Sequence, residues 1–364
     1  MTELEHAAAE PELRDPVAPE GRTIVVPLQM EISRPPTRGE RLADRLFRNG
    51  AFVVAWFAVL VTVWVVGRIG WAASPAIRRY GVGFLVGTTW DANRSQFGIL
   101  PAMLGTLYSS FLGLAIGTVF GLAIAIFLSE GFLASGLDGL LRRLGLGERT
   151  ALATLPARAE GLLKIVVELL AAIPSVVYGL WGIFVVIPFI RGPADWLHAH
   201  LGWVPIFGTA LSGPGILPAS LVLAIMVLPT ISAISRDALV EVPPKLREAA
   251  FGLGSTRWEA ILAVILPTAS TGIFGAIILG FGRALGETMA LAMLAGNANV
   301  ISWSMFSPAN TLAALLANHF PEAGQVEVGA LMYAALVLLA ITLLVNVVGA
   351  AILQRADAGL KGLR

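Results

Sequence analysis

Residues 241–267 read EVPPKLREAAFGLGSTRWEAILAVILP, a charged passage set between two long apolar runs. Pro243 and Pro244 suit the opening of a helix, because a fixed φ and a missing N–H cost nothing there. Lys245 to Phe251 then predicts a short amphipathic helix, and the small residues Ala249, Ala250, Gly252 and Gly254 leave room for close approach. A second helix is expected from about Thr256, ending at Pro267 where the next apolar run begins.

The runs on either side place this passage at a membrane. Of 364 residues, 56% are hydrophobic and 13% charged. A soluble domain carries about 25% charged residues, so most of this chain must face lipid or other apolar helices. Crossing a hydrocarbon core takes about 20 apolar residues in a helix. Six stretches qualify: Ala51–Trp71, Leu104–Leu128, Leu162–Phe189, Ile216–Ile234, Thr271–Ala295 and Val328–Leu353. The expected fold is therefore an all-α polytopic membrane protein with about six transmembrane helices. The first and last stretches are uninterrupted. The middle four are studded with Gly, Pro and Ser, which suits helices packed inside a bundle or lining a path. Gly113, Gly117 and Gly121 place three small residues on one face of the second, and packing within the chain is the favoured reading over a subunit interface.

Arginine and lysine set the orientation. They gather at Arg34, Arg38, Arg41, Arg45 and Arg48, at Arg142, Arg143, Arg149 and Arg158, at Arg236, Lys245, Arg247 and Arg257, and at Arg355, Lys361 and Arg364. The opposite loops, around 191–215 and 297–327, are nearly free of them, and 72–100 is the weak case with Arg78, Arg79 and Arg94. Both termini are thus expected in the cytoplasm. Trp71, Trp90, Trp196, Trp203 and Trp303 fall near the expected outer boundary, where amphipathic rings are favoured. The division follows: 1–50 a flexible cytoplasmic tail, 51–100 a first helix and outer segment, 101–353 the core containing the 241–267 loop, and 354–364 a cytoplasmic tail. The N-terminus is acidic and rich in proline rather than basic and apolar, unlike a secretory signal.

Several function classes fall away. A net charge of +1 argues against nucleic-acid binding. With no cysteine there are no disulfides, thiolate metal sites or cysteine nucleophile. His198 and His200, beside Asp195, are expected on an outer surface loop rather than at a metal, and no cofactor is expected. A P-loop needs Gly-Lys followed by Ser or Thr, and none of Lys164, Lys245 and Lys361 has that context, so no ATPase site is expected.

Two places inside the membrane attract chemistry. Arg283 and Glu287 are four apart, expected on one helical face of an otherwise apolar stretch. A charge at mid-membrane costs about 2.5–3.5 kcal/mol, so it seeks a partner, a bundle interior or water. A structural pair is one reading. Binding of an anion such as phosphate, which arginine can hold bidentately, is the stronger one. Pro174 should kink the third span, and beside it Ser175 and Tyr178 either line a path or pack. Glu168 is a further carboxylate, solvated at the cytoplasmic interface or buried.

The 241–267 passage resembles the EAA loop of ABC-importer permeases, whose pattern is Glu-Ala-Ala, three residues, Gly, nine residues, then Ile-x-Leu-Pro. Glu248, Ala249, Ala250, Gly254, Leu266 and Pro267 fall in register, with Val264 replacing the Ile. The stretch Gly282-Arg-Ala-Leu-Gly-Glu-Thr-Met-Ala290, which contains Arg283, Glu287 and Thr288, is similar to the signature of phosphate-importer permeases. Leu170-Ala-Ala-Ile-Pro-Ser-Val-Val-Tyr-Gly-Leu-Trp-Gly182 looks like the PstC branch specifically. The likeness covers about residues 100–353.

The resemblance implies a type I ABC-importer permease fold in a bacterial inner membrane, carrying inorganic phosphate. It implies a separate pair of ATPase subunits docking on the loop with Glu248 as an anchor, a second permease of PstA type, and an extracytoplasmic phosphate-binding protein. Arg283 and Glu287 are implicated in transport in that family. The alternatives are the PstA-type permease itself, a permease for another oxyanion, or an ion-coupled secondary transporter, which would have no use for the loop.

Overall fold

The computed structural model describes residues 37–132, 136 and 155–361, and the chain divides into two units, Met1–Thr62 and Val63–Arg364. Helix α1 (Arg38–Tyr80) opens on a capping box. The Thr37 N–H donates to Glu40 Oε2 at 2.7 Å and the Glu40 N–H to Thr37 Oγ1 at 3.3 Å, satisfying amides that a helix start leaves bare. The basic stretch from Arg38 to Arg48, expected as the end of a flexible tail, is therefore helical and continuous with the first span.

After α2 (Gly83–Val86) comes a short antiparallel hairpin, β1 (Trp90–Asp91) with β2 (Gln96–Phe97), in register Trp90 opposite Phe97. Then follow α3 (Leu100–Ser129), α4 (Leu155–Ala172), α5 (Ser175–Leu201), α6 (Ile216–Val240), α7 (Pro244–Gly252), α8 (Arg257–Gly286), α9 (Met289–Leu294), α10 (Leu312–His319) and α11 (Gln325–Lys361). Six of these, α1, α3, α5, α6, α8 and α11, are long and apolar enough to cross a membrane.

The third span differs from its expected limits. Proline disfavours helix at the residue before it, and the chain breaks fully at Ile173, with Pro174 at φ −59° and ψ 140°. The segment before the break is a separate helix, α4, on which Lys164 pairs with Glu168 at 3.7 Å and both side chains are exposed. The span itself is α5, and it runs on to Leu201. Trp196, His198 and His200, expected in an outer loop, lie on its last turns.

Two other prolines are absorbed without a break. The expected stop at Pro267 does not occur. A π-turn, Ile261–Ile265, precedes it and the helix continues to Gly286, just as a π-turn at Gly182–Val186 precedes Pro188. In both, an N–H bonds five residues back, Leu266 to Ile261 and Ile187 to Gly182. The widened turn takes up the bond that proline cannot make.

The core is built on the contact between α3 and α6. A Cβ on Gly113, Gly117 or Gly121 would meet Leu223, Val227 or Ile231 at about 3 Å or less, so the glycine stripe lets these two helices of one chain touch. Gly280 of α8 meets the same Ile231. Leu114, Leu223, Val227, Ile231 and Ala284 fill the centre.

At the end of the bundle away from the 241–267 loop, residues 296–311 form an irregular segment folded into the protein, with Phe306 fully buried. Its carbonyls satisfy the bare start of α6: Ile216 N–H donates to Ser307 O at 3.1 Å and Leu217 N–H to Met305 O at 2.7 Å. Such backbone at membrane depth survives only where protein supplies its partners.

Candidate functional site: the inner loop and the α8 break

The 241–267 loop is built by local chemistry before it meets anything else. Pro243 precedes α7 in an extended conformation and Pro244 occupies its first turn. The far end closes as a complete Schellman motif: Ser255 N–H donates to Ala250 O at 3.1 Å and Gly254 N–H to Phe251 O at 3.0 Å. Gly254 sits at φ +87°, which explains the glycine of the EAA frame as a backbone requirement rather than only as room for approach. A capping box then starts α8, with Thr256 N–H donating to Glu259 Oε2 at 2.7 Å and Glu259 N–H to Thr256 Oγ1 at 3.4 Å.

What ties the loop to the bundle is a residue that sequence reading missed. Glu130, just past the end of α3, is almost fully buried and accepts from Arg247 of α7 in an ion pair. The second guanidinium nitrogen of Arg247 donates to the Leu239 carbonyl of α6 at 2.7 Å. Arg257 of α8 donates to the Glu130 carbonyl at 2.8 Å and lies over the Phe132 ring, which stacks on Trp258. Beneath, Val242, Ile261 and Ile265 are buried with Ala125, Leu239 and Ala269. The signal was present as a lone carboxylate ending a long apolar span, opposite a loop rich in arginine.

The predicted loop residues divide by face. Ala250 is buried. Glu248, Ala249 and Pro267 are exposed and Leu266 is half-buried. Phe251, Leu253 and Trp258 are exposed as well, so the loop presents large apolar side chains together with the charged Lys245, Glu248 and Glu259.

The α8 break changes the expected charge geometry. α8 ends at Gly286, and Glu287 is extended at φ −67° and ψ 127°. Arg283 and Glu287 therefore do not share a helical face, and among the described residues neither forms an ion pair. Glu287 turns to the next helix, where its Oε1 accepts from the Ala290 N–H of α9 at 3.4 Å. Arg283 is exposed and donates to Thr230 Oγ1 on α6 at 3.4 Å. An arginine exposed inside an apolar span is costly against lipid, so this surface faces water or protein.

The remaining predicted residues separate. Tyr178 is buried, and its hydroxyl donates to the Leu170 carbonyl at 2.7 Å, stapling α4 to α5 across the Pro174 break. Ser175 is half-buried in the first turn of α5. Thr288 donates to Gly286 O at 3.1 Å and lines an apolar cavity with Ala313, Leu316 and Met332. Trp90 is half-buried. Its indole N–H donates to the buried Glu327 at 3.0 Å, and His319 Nδ1 lies 3.2 Å from the same oxygen. His200 stacks on Trp196, and among the described residues no His, Asp and Glu cluster that could hold a metal occurs.

Comparison with known proteins accounts for this arrangement. Residues 146–361 match the family described as binding-protein-dependent transport system inner membrane component. The phosphate transport system permease protein PstC of Pasteurella multocida is 36% identical over 321 residues, 87% of this chain and 93% of that protein. Its counterpart in Mesorhizobium japonicum is 37% identical over 323 residues, 87% and 92%, and PstC 2 of Mycobacterium tuberculosis is 32% identical over 328 residues, 88% and 93%. A chain of the inward-facing MetNI methionine ABC transporter aligns over 71% of this chain and 95% of its own, at 20% identity and a TM-score of 0.48. With six membrane-crossing helices and the family match together, this chain belongs to the inner-membrane permease components of binding-protein-dependent ABC importers.

Proposed function

We propose that this permease carries inorganic phosphate inward as one of two paired subunits, PstC-type beside a PstA-type partner, with its termini in the cytoplasm. The observation that carries the reading is Arg283: a guanidinium within a membrane-crossing helix, exposed, and bonded only weakly to a hydroxyl. Phosphate offers the charge and the paired oxygens that such a group lacks. The names of the 32–37% identical relatives support the same substrate.

The energy comes from elsewhere. The three lysines of the sequence stand in no P-loop context, so two separate ATPase subunits drive the cycle. They dock on the exposed face of α7 around Glu248, Ala249 and Gly254. Motion of that face reaches α3 through Arg247 and Arg257 on Glu130, and α6 through Arg247 on Leu239. Leu266 and Pro267 lie where the push enters α8, whose far end carries Arg283. Glu287 and Thr288 form the joint beyond it, and Ser175 and Tyr178 hold the facing start of α5. An extracytoplasmic binding protein delivers phosphate at the outer ends of the helices.

The test is a reconstituted complex of both permeases, ATPase and binding protein in vesicles. Arg283→Ala should stop phosphate uptake, and Glu248→Ala should lower uptake and binding-protein-stimulated ATP hydrolysis together. Normal turnover by both variants would falsify the reading. Uptake that survives without ATPase but collapses with an ion gradient would establish secondary transport instead.

A further inference from the structure

The start of α1 carries a charge pattern that transport does not use. The apolar stretch of this helix extends from Ala51 to Trp71, with Arg68 its one charge. At 1.5 Å per residue this rises about 30 Å, the thickness of a hydrocarbon core. The turns before Ala51 must therefore stand outside the core while remaining helical, begun by the Thr37–Glu40 capping box. At 100° per residue, Arg38, Arg41, Arg45 and Arg48 fall within an arc of about 80°. Glu40 and Asp44 lie outside that arc, and all six side chains are exposed.

Depth along the helix separates the four arginines. Measured from Ala51, Arg48 stands about 4.5 Å out, Arg45 about 9 Å, Arg41 about 15 Å and Arg38 about 20 Å. A headgroup layer is roughly 5–8 Å thick on each side. The flexible arginine side chain brings Arg48 and Arg45 to that layer. Arg41 and Arg38 reach only the diffuse region beyond, where charge is screened over about 8 Å at physiological salt.

We propose that this stripe is a binding surface for anionic phospholipid headgroups, with Arg48 and Arg45 in contact and Arg41 and Arg38 contributing only through the field. The requirement is negative charge on the lipid, since a zwitterionic headgroup carries its own compensating cation. The surface lies wholly on α1 and does not depend on what the permease transports, so its failure would leave the phosphate reading untouched.

Electron spin resonance of full-length protein in mixed vesicles tests this, comparing spin-labelled phosphatidylglycerol with spin-labelled phosphatidylcholine. The parent chain should prefer phosphatidylglycerol. Arg45→Gln with Arg48→Gln should lower that preference by up to about fivefold per arginine, and Arg38→Gln with Arg41→Gln by less than about twofold. Arg45→Lys with Arg48→Lys should retain it, and salt of about 1 M, where screening falls to about 3 Å, should remove it. Equal affinity of the parent for both lipids would overturn the proposal. So would equal losses from the two glutamine pairs, which would mean a diffuse field without contact. A preference that emerges only after removal of residues 1–36 would assign the stripe to the acidic N-terminal segment instead.

Discussion

The 241–267 loop and the end of α8 both rest on arginine and use it in opposite ways. At the loop, Arg247 is held by the Glu130 carboxylate and the Leu239 carbonyl, and Arg257 by the Glu130 carbonyl and the Phe132 ring. At the end of α8, Arg283 has one long bond to a hydroxyl, and the nearest carboxylate in sequence has been turned away by the helix break. A guanidinium whose donors are filled fixes geometry and transmits force without slack. One whose donors are open can receive an anion that later leaves. Under the proposed function, the contrast fits transmission at the loop and contact with substrate at α8.

The sharpest way to break this contrast is to remove each arginine's function in turn. Arg283→Ala should lower phosphate uptake about 100-fold, equivalent to two charge-assisted hydrogen bonds of roughly 1.5 kcal/mol each. It should change the thermal unfolding of the assembled complex little, because the only protein bond lost among the described residues is the 3.4 Å one to Thr230. Arg283→Lys should recover part of the uptake. A variant that transports normally but melts early would make Arg283 structural and reverse its place in the comparison.

Glu130→Ala should behave the other way round. It strands Arg247 beside a nearly buried site, at a cost of about 1–3 kcal/mol after allowance for the partial exposure of the arginine. Unfolding should shift to lower temperature, and ATP hydrolysis should continue while uptake falls, because the loop loses its Arg247 link to α3 and keeps only Arg257 on the backbone carbonyl. Matched measurements of hydrolysis and uptake on one preparation decide it. If the two rates fall in proportion, Glu130 serves assembly and not coupling.

Much of this was legible in the sequence, and the reasons for the gaps are physical. The six spans announce themselves because bulk hydrophobicity is additive along the chain and needs no partner to be read. Gly113, Gly117 and Gly121 were readable as a packing face because a helix repeats nearly every fourth residue. Proline was harder. Pro174 breaks its helix while Pro188 and Pro267 are absorbed by π-turns, and that outcome is decided by surrounding packing rather than by the residue. Tyr178 stayed open between path and packing because only the fold brings the Leu170 carbonyl within reach. Glu130 was missed because its partner Arg247 stands 117 residues away, and the Trp90–Glu327 bond was not readable because it spans 237 residues.

A smaller effect tests the loop's backbone. Gly254 adopts φ +87° and has open space where a side chain would sit, so a substitution there meets strain and no clash. Gly254→Ala should cost about 1 kcal/mol, the usual penalty for a non-glycine residue in the left-handed region. The loss should appear in thermal unfolding, with ATPase docking retained if the Schellman closure survives. Failure of the ATPase to co-purify would mean that the glycine is needed for contact as well as for the turn.

The smallest expected effect is the most discriminating for α8. Spacing alone makes Arg283 and Glu287 an i,i+4 pair, and such a pair inside a membrane would couple strongly. The break at Gly286 separates them and gives the Glu287 carboxylate to the Ala290 N–H. A double-mutant cycle on unfolding, using Arg283→Gln and Glu287→Gln, should therefore return a coupling below about 0.5 kcal/mol, the scatter expected of independent sites. Coupling above about 1 kcal/mol would place the two charges in contact during part of the cycle. Arg283 would then be partnered in that state as Arg247 is in the loop, and phosphate would have to displace Glu287 to bind. A value near zero leaves the guanidinium open throughout, which is the condition that contact with substrate requires.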